Sequence, residues 1–270
     1  MSRNLRETVS AYTNSFRRNN YSSQFYSALA VGIGTLASLI IGRAAWKDYQ
    51  LFLSYGPGGV PYNPLGWLVA NILRTLRINM IDVRKFETDP DQRSWLNGEN
   101  WSSAKRPGSR PHTGPHPIPQ RQLDQHPSKE IQQKFLSTFK SLGEQNPNLV
   151  KFELSQYERH TDAMWVIDEC PCYALGKDSG YTREISHIHT NTDYSAHVVL
   201  SPQDAAQVIR SGWGQLHGLA GVSVLGRRVV PATYVLLYSA RNDDEIRVLT
   251  EIIRAGIGYM TDSTEVKAPA

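Results

Sequence analysis

The chain has 270 residues, 40% of them hydrophobic and 20% charged, enough for one catalytic-size core once an N-terminal segment and a linker are set aside. Its formal net charge is only +4, and Lys and Arg are spread along the chain without a basic stripe interleaved with aromatics, which argues against nucleic-acid binding. Cys170 and Cys172 stand two positions apart in Cys-Pro-Cys, where a disulfide would close a strained ring and no second pair completes a zinc site, so both are expected to be free structural thiols.

Residues 1–20 read as a polar N-terminal segment. From Tyr21 to Gly42 no residue is charged, and FYSALAVGIGTLASLIIG, Phe25 to Gly42, is apolar or small throughout. Roughly 20 such residues, rising about 1.5 Å each, cross a bilayer core of about 30 Å. No polar stripe recurs at helical spacing, which argues against a core helix. The run is also long and late for a signal peptide, although Ala44-Ala45 resembles a cleavage site. A single membrane-spanning anchor over 21–46 is the expectation, in the endoplasmic reticulum or another endomembrane. Arg3, Arg6, Arg17 and Arg18, opposed by Glu7, lean toward a cytosolic N-terminus, whereas free thiols suit a cytosolic main domain, so orientation stays open.

Residues 47–88 form a juxtamembrane segment. The helix continues to about Leu53 and is broken by Gly56-Pro57-Gly58-Gly59. Leu65, Leu68, Val69, Ile72, Leu73 and Leu76 then share one face of a helix, either lying on the membrane or packing on the domain. Residues 89–127 carry prolines too densely for helix or inner strand and are expected to form a linker or lid, with His112, His116 and His126 solvated.

An α+β domain is expected over 128–261. Ser128 caps a helix to about Leu142. Strands follow at 151–157, 163–167, 184–189, 196–200 and 233–238. Ser201-Pro202-Gln203-Asp204 and Asn242-Asp243-Asp244-Glu245 open two further helices as capping boxes. Strands broken by single helices, without strict alternation, predict an antiparallel or mixed sheet covered by helices on one side and preceded by the one transmembrane helix. Residues 262–270 read as a disordered tail.

The densest chemistry lies between Arg183 and Gly221. On a strand, His187 and His189 share a face, and His197 on the next strand joins them across a hairpin. Three converging imidazoles either bind a metal ion or act as bases and hydrogen-bonding groups near neutrality. In Gly-Trp-Gly-Gln-Leu-His, Trp213 offers a stacking surface or fills the core, and Gln215 and His217 face a ligand or hold a turn. Arg241 at a strand end grips an anion or makes a surface ion pair. The chain has no Gly-X-Ser-X-Gly elbow, no phosphate loop and no dinucleotide fingerprint after a strand.

Several blocks, in order, resemble the fungal luciferases and their non-luminous relatives: KDYQLFLSYGP from Lys47, RP with PQRQ around Arg110 to Gln122, REISHIH from Arg183, GWGQLHGLAG from Gly212, YSARN from Tyr238 and IGYMT from Ile257. The resemblance implies a membrane-associated enzyme that uses O2 as co-substrate and no diffusible organic cofactor, a possible metal ion remaining open. Luminous members oxidise 3-hydroxyhispidin, a styryl-pyrone, through a peroxide that loses CO2. Carried onto this chain, the resemblance makes His187, His189, His197 and His217 the expected catalytic residues. Glu184, Trp213, Gln215 and Arg241 are the expected substrate-binding residues, and His187, His189 and His197 are the ligands of any metal. HTNTDYSAH between the histidines, GQLHGLAG and an inserted GVSVLGRRVVPA depart from the luminous pattern and count against light emission. The expected substrate is a small aromatic or polyketide metabolite. Two alternatives remain: an O2-independent tailoring enzyme, such as a hydrolase, decarboxylase or cyclase, and a non-catalytic membrane adaptor.

Overall fold

A computed structural model describes residues 3–96, 105–170 and 182–270. Two units make up the chain, one through Leu51 and one from Phe52 onward. Helix α1, Arg3–Ser54, joins the expected polar segment, anchor and continuation into one element of 52 residues. Within it, Gln24–Ser54 is long and apolar enough to cross a membrane, with mean hydropathy reaching 1.8. Leu29, Ile33, Leu36 and Ile40 are all exposed, and the Thr35 hydroxyl donates to the Val31 carbonyl one turn back (2.8 Å).

The second unit is α+β. Helix α2, Pro64–Arg74, starts on Asn63, whose side chain accepts from the backbone N–H groups of Leu65 and Gly66, and α3, Arg84–Glu87, is a single turn. Helix α4, Lys129–Glu144, begins on the expected Ser128 cap. Strands β1, Val150–Leu154, β2, Asp162–Val166, β3, Glu184–Ile188, and β4, Ala196–Val199, follow as antiparallel neighbours. Helix α5, Pro202–Arg210, leads to β5, Gly214–Leu216, so the segment read as a loop is an edge strand. The insertion forms a small hairpin of β6, Ser223–Val224, and β7, Arg227–Arg228. Strand β8, Tyr234–Leu237, then enters between β4 and β5, giving a wholly antiparallel sheet in the order β1-β2-β3-β4-β8-β5. Helix α6, Asp243–Thr261, closes the fold from its Asn242 cap.

Helices α4 and α6 cover one face. Leu249, Ile252, Ile253 and Ile257 of α6 join Met164, Ile185, Val198 and Leu237 of the sheet in one core. Gly256 lets α6 lie close on β4: a Cβ there would stand 2.6 Å from Val198 Cγ2 and 2.9 Å from the Val199 carbonyl. Apolar burial on this face is the main source of stability.

The other face is covered by the proline-rich segment. Among its described residues, Arg106, His116, Gln120, Arg121 and Gln122 are buried, so this part of the expected linker or lid packs on the domain. His112 and His126 are exposed as expected, but His116 is fully buried, packed edge-on against Phe52 and Tyr55. The Asp204 N–H donates to the Ser201 cap as expected (3.1 Å), and its carboxylate also accepts from the Ser94 hydroxyl (2.5 Å) and the Trp95 N–H (3.0 Å), docking that segment onto α5. The last residues are also held: Asn146 exchanges hydrogen bonds with the Lys267 backbone (2.8 and 3.0 Å), and the Ala270 N–H donates to the Ser141 hydroxyl. Cys170 is a free thiol, and Cys172 lies outside the described residues.

Candidate active site

Strand alternation sets the site. His187 on β3 pairs directly with His197 on β4, so both side chains leave the same face of the sheet, and His189, two residues beyond His187, joins them. Their rings form a near-equilateral triangle, with centres 5.2 Å apart for His187–His189, 5.3 Å for His187–His197 and 5.1 Å for His189–His197. All three are at least 96% buried. His217, just past β5, lies 5.4 Å from His197, and the Tyr234 ring stacks on His197 at 4.6 Å with 11° between planes.

Glu184 reaches this face through an irregularity. Opposite β2, Met164 pairs with Ser186 and Trp165 with Glu184, so Ile185 is left over in a β-bulge. The extra residue turns Ile185 into the helix-covered core and swings Glu184 onto the side of His187. There the Glu184 carboxylate accepts from His187 Nδ1 (2.6 Å), from the Ser155 hydroxyl (2.8 Å) and from the Gln156 N–H (2.8 Å). That bond fixes the His187 tautomer and leaves a lone pair on Nε2. His189 is held likewise, its Nδ1 donating to the Ser195 hydroxyl (2.9 Å), which in turn donates to Asp193 (2.9 Å). His217 differs: the Leu219 N–H donates to its Nδ1 (3.1 Å) and the Pro117 backbone bonds its ring, so its lone pair is committed to the scaffold.

Burial keeps His189, His197 and His217 neutral. Burial, then the Arg121 guanidinium and His187, hold His189 well below the usual histidine range. Burial and the neighbouring imidazoles, His189 first, do the same for His197. His217 is brought down to about 3 by burial and by His187. Burial, reinforced by Glu184, pushes the Tyr234 phenol well above its ordinary value, so it keeps its proton.

The four histidines line a cavity of about 170 Å³ with Tyr234, Tyr157, Glu158, Arg121, Ile118 and Pro119, and the base of the inserted hairpin contributes Val229 and Val230. Arg121 is the clamp of this wall. It donates to the carbonyls of Tyr55 (3.2 Å), Gln120 (3.1 Å) and Pro57 (3.0 Å), and pairs with Glu158, both side chains being buried. Glu158 also comes within 3.8 Å of His189 Nε2. A larger groove of about 770 Å³ between α4 and α6 is lined by surface charges such as Lys134, Asp243 and Arg247 and has no convergent buried polar groups.

Of the expected substrate-binding residues, Glu184 supports His187 from behind. Gln215 shares the histidine face but spends its amide on the Thr113 hydroxyl (3.0 Å) and its carbonyl on the Tyr238 hydroxyl (2.9 Å), holding the proline-rich segment. Trp213 belongs to the hydrophobic core and Arg241 pairs with Glu245 and the Pro107 carbonyl, so neither lines the cavity. Arg121, inside the PQRQ block, had a sequence signal, but Glu158, Tyr234 and the Asp193–Ser195 support had none.

A family model of the luciferase domain matches residues 182–256, the stretch that carries Glu184 and all four histidines. A luciferase of Armillaria mellea is 32% identical over 243 residues, covering 87% of this chain and 88% of its own. A luciferase of Neonothopanus nambi is 32% identical over 255 residues, covering 92% of each. No solved structure matches the chain. Identity sustained over most of both chains, and a family match centred on the histidine strands, establish that this chain belongs to the fungal luciferase family.

Proposed function

We propose that the protein is a membrane-anchored enzyme that uses O2 to oxidise, with loss of CO2, a small electron-rich pyrone or a related phenolic or polyketide metabolite. The observation that carries this reading is the His187–Glu184 pair, an imidazole backed by a buried carboxylate, with its free Nε2 facing a cavity. His187 takes the acidic enol proton of the substrate at Nε2, and Glu184 stabilises the imidazolium that forms. The enolate left behind is electron-rich enough to bond O2 at carbon, and the resulting peroxide on the substrate expels CO2. Tyr234, which keeps its proton, is a donor for the developing oxyanion. At about 170 Å³ the cavity takes a single ring, whereas pockets for drug-sized molecules begin near roughly 300 Å³, so the reacting ring enters while the rest of a larger substrate extends past Val229 and Val230.

The membrane part of this reading rests on α1 and on α2. Leu65, Leu68 and Ile72 of α2, with Leu76 just beyond it, are exposed, while Gly66 and Ala70 face the protein. An apolar face turned outward suits a helix lying in the headgroup region, and the reading places the protein in the endoplasmic reticulum or another endomembrane.

Detergent-solubilised protein given 3-hydroxyhispidin, and then a panel of simpler pyrones, should consume O2, and His187→Ala should abolish uptake. Light from the wild type would make it a luciferase in the strict sense, and uptake without light a dark oxygenase. Turnover under strict anaerobiosis would overturn the oxidative reading in favour of an O2-independent tailoring reaction.

A further inference from the structure

We propose that His187, His189 and His197 bind one divalent first-row transition-metal ion through three imidazole nitrogens, with a fourth coordination position open to the cavity. This deepens the reading above and replaces one role in it. An Nε2 lone pair that holds the ion does not take a proton, so with the ion bound His187 is a ligand and the ion's charge would acidify the enol instead. The proposal itself stands on geometry and needs neither O2 nor a pyrone.

One ring nitrogen from each of the three histidines lies within 4.8 Å of the others. His187 Nε2, His189 Nε2 and His197 Nδ1 are buried and have no hydrogen-bond partner among the described residues. Unpaired buried polar atoms are costly singly, and three on neighbouring rings call for an occupant. The ring spacing indicates which kind. With metal–nitrogen bonds of about 2.0–2.1 Å, ring centres stand roughly 3.2 Å from the ion and about 5.2 Å apart in tetrahedral coordination, against about 4.5 Å for three adjacent positions of an octahedron. The spacings here are 5.1, 5.2 and 5.3 Å.

The support behind the rings has the form that metal sites use. The far nitrogen of His187 is fixed by a carboxylate, Glu184, and that of His189 by Ser195 and Asp193, so each ring presents its remaining nitrogen inward. A set of three imidazole ligands suits zinc, iron, copper or nickel rather than magnesium or calcium. Glu158, the nearest carboxylate on the cavity side, is engaged by Arg121, and His217 has its lone pair on Leu219 N–H, so neither completes the set. Three protein ligands with a vacant fourth position describe a catalytic rather than a structural site.

The test uses the full chain in detergent, stripped with a chelator and titrated with Co2+, whose visible d–d absorption is intense in four-coordinate and weak in six-coordinate sites. The expected result is one Co2+ per chain, an intense spectrum, displacement by Zn2+, and loss of the signal in His187→Gln and His197→Gln. Should those variants unfold, Glu184→Gln leaves all three ligands and should weaken binding about 10- to 100-fold. Folded wild type that takes up no Co2+, or binding unchanged in all three variants, overturns the proposal. Stripped protein that fails to bind Co2+ yet consumes O2 with substrate removes the metal and leaves the oxidative reading standing. Tight binding with no turnover of any pyrone keeps the metal and removes that reading.

Discussion

Replacing Glu158 by glutamine keeps the shape of the side chain and removes its charge, leaving the Arg121 guanidinium buried without its contacting counter-charge. Both side chains are almost wholly buried, at 2% and 7% exposure, so solvent cannot compensate. Breaking one partner of such a pair costs about 3–5 kcal/mol, because desolvation of the remaining ion is no longer offset. The three carbonyls that Arg121 holds, on Tyr55, Pro57 and Gln120, share the loss, since a displaced guanidinium no longer ties the proline-rich segment to the glycine-rich turn after α1. For a unit of this size, each kcal/mol moves the melting temperature by about 2–4 °C, so Glu158→Gln should melt roughly 6–20 °C below wild type. Thermal unfolding of the detergent-solubilised protein, followed by circular dichroism, measures it. A shift under about 2 °C would show that Arg121 finds water or another anion, and would refute the clamp.

Acid should loosen the fold through the buried histidines. The unfolded chain binds a proton on His217 near pH 6.5, whereas the folded chain resists down to about 3, so stability is complete above the unfolded value and is lost as pH falls below it. At about pH 5 this one group costs roughly 2 kcal/mol, and His189 and His197 act in the same direction. Urea midpoints should therefore fall steadily between about pH 7 and 5, and a flat profile would show that these rings are solvated. Gly256→Ala forces a methyl into β4 and should destabilise by about 1–3 kcal/mol, read as a lower urea midpoint; an unchanged midpoint would deny the close approach of α6. Leu68→Asp with Ile72→Asp alters exposed positions, so melting should hold while quenching of tryptophan emission by brominated lipid in bilayers decreases. Equal quenching would remove α2 from the membrane surface.

The sequence by itself determined the features that depend on near neighbours. The Ser128, Ser201 and Asn242 caps, the apolar face of α6 and the run across Gln24–Ser54 are written within a few residues of one another, as is the shared face of His187 and His189. Only the tertiary structure decided what depends on contacts made across long stretches of chain. The bulge at Ile185, which turns Glu184 toward His187, breaks strict alternation and exists because β3 must register against β2. Burial of His116 and Arg121 arises because the proline-rich segment is laid across the open face of the sheet, with Asp204, Glu158 and Gln215 as anchors. Composition reads that segment as a linker or lid because its prolines exclude helix and inner strand, but they leave it free to pack as irregular chain. Trp213 and Arg241 looked like ligands for the converse reason. Their neighbours in sequence mark a site, while their side chains are claimed by the core and by Glu245, one turn into the next helix.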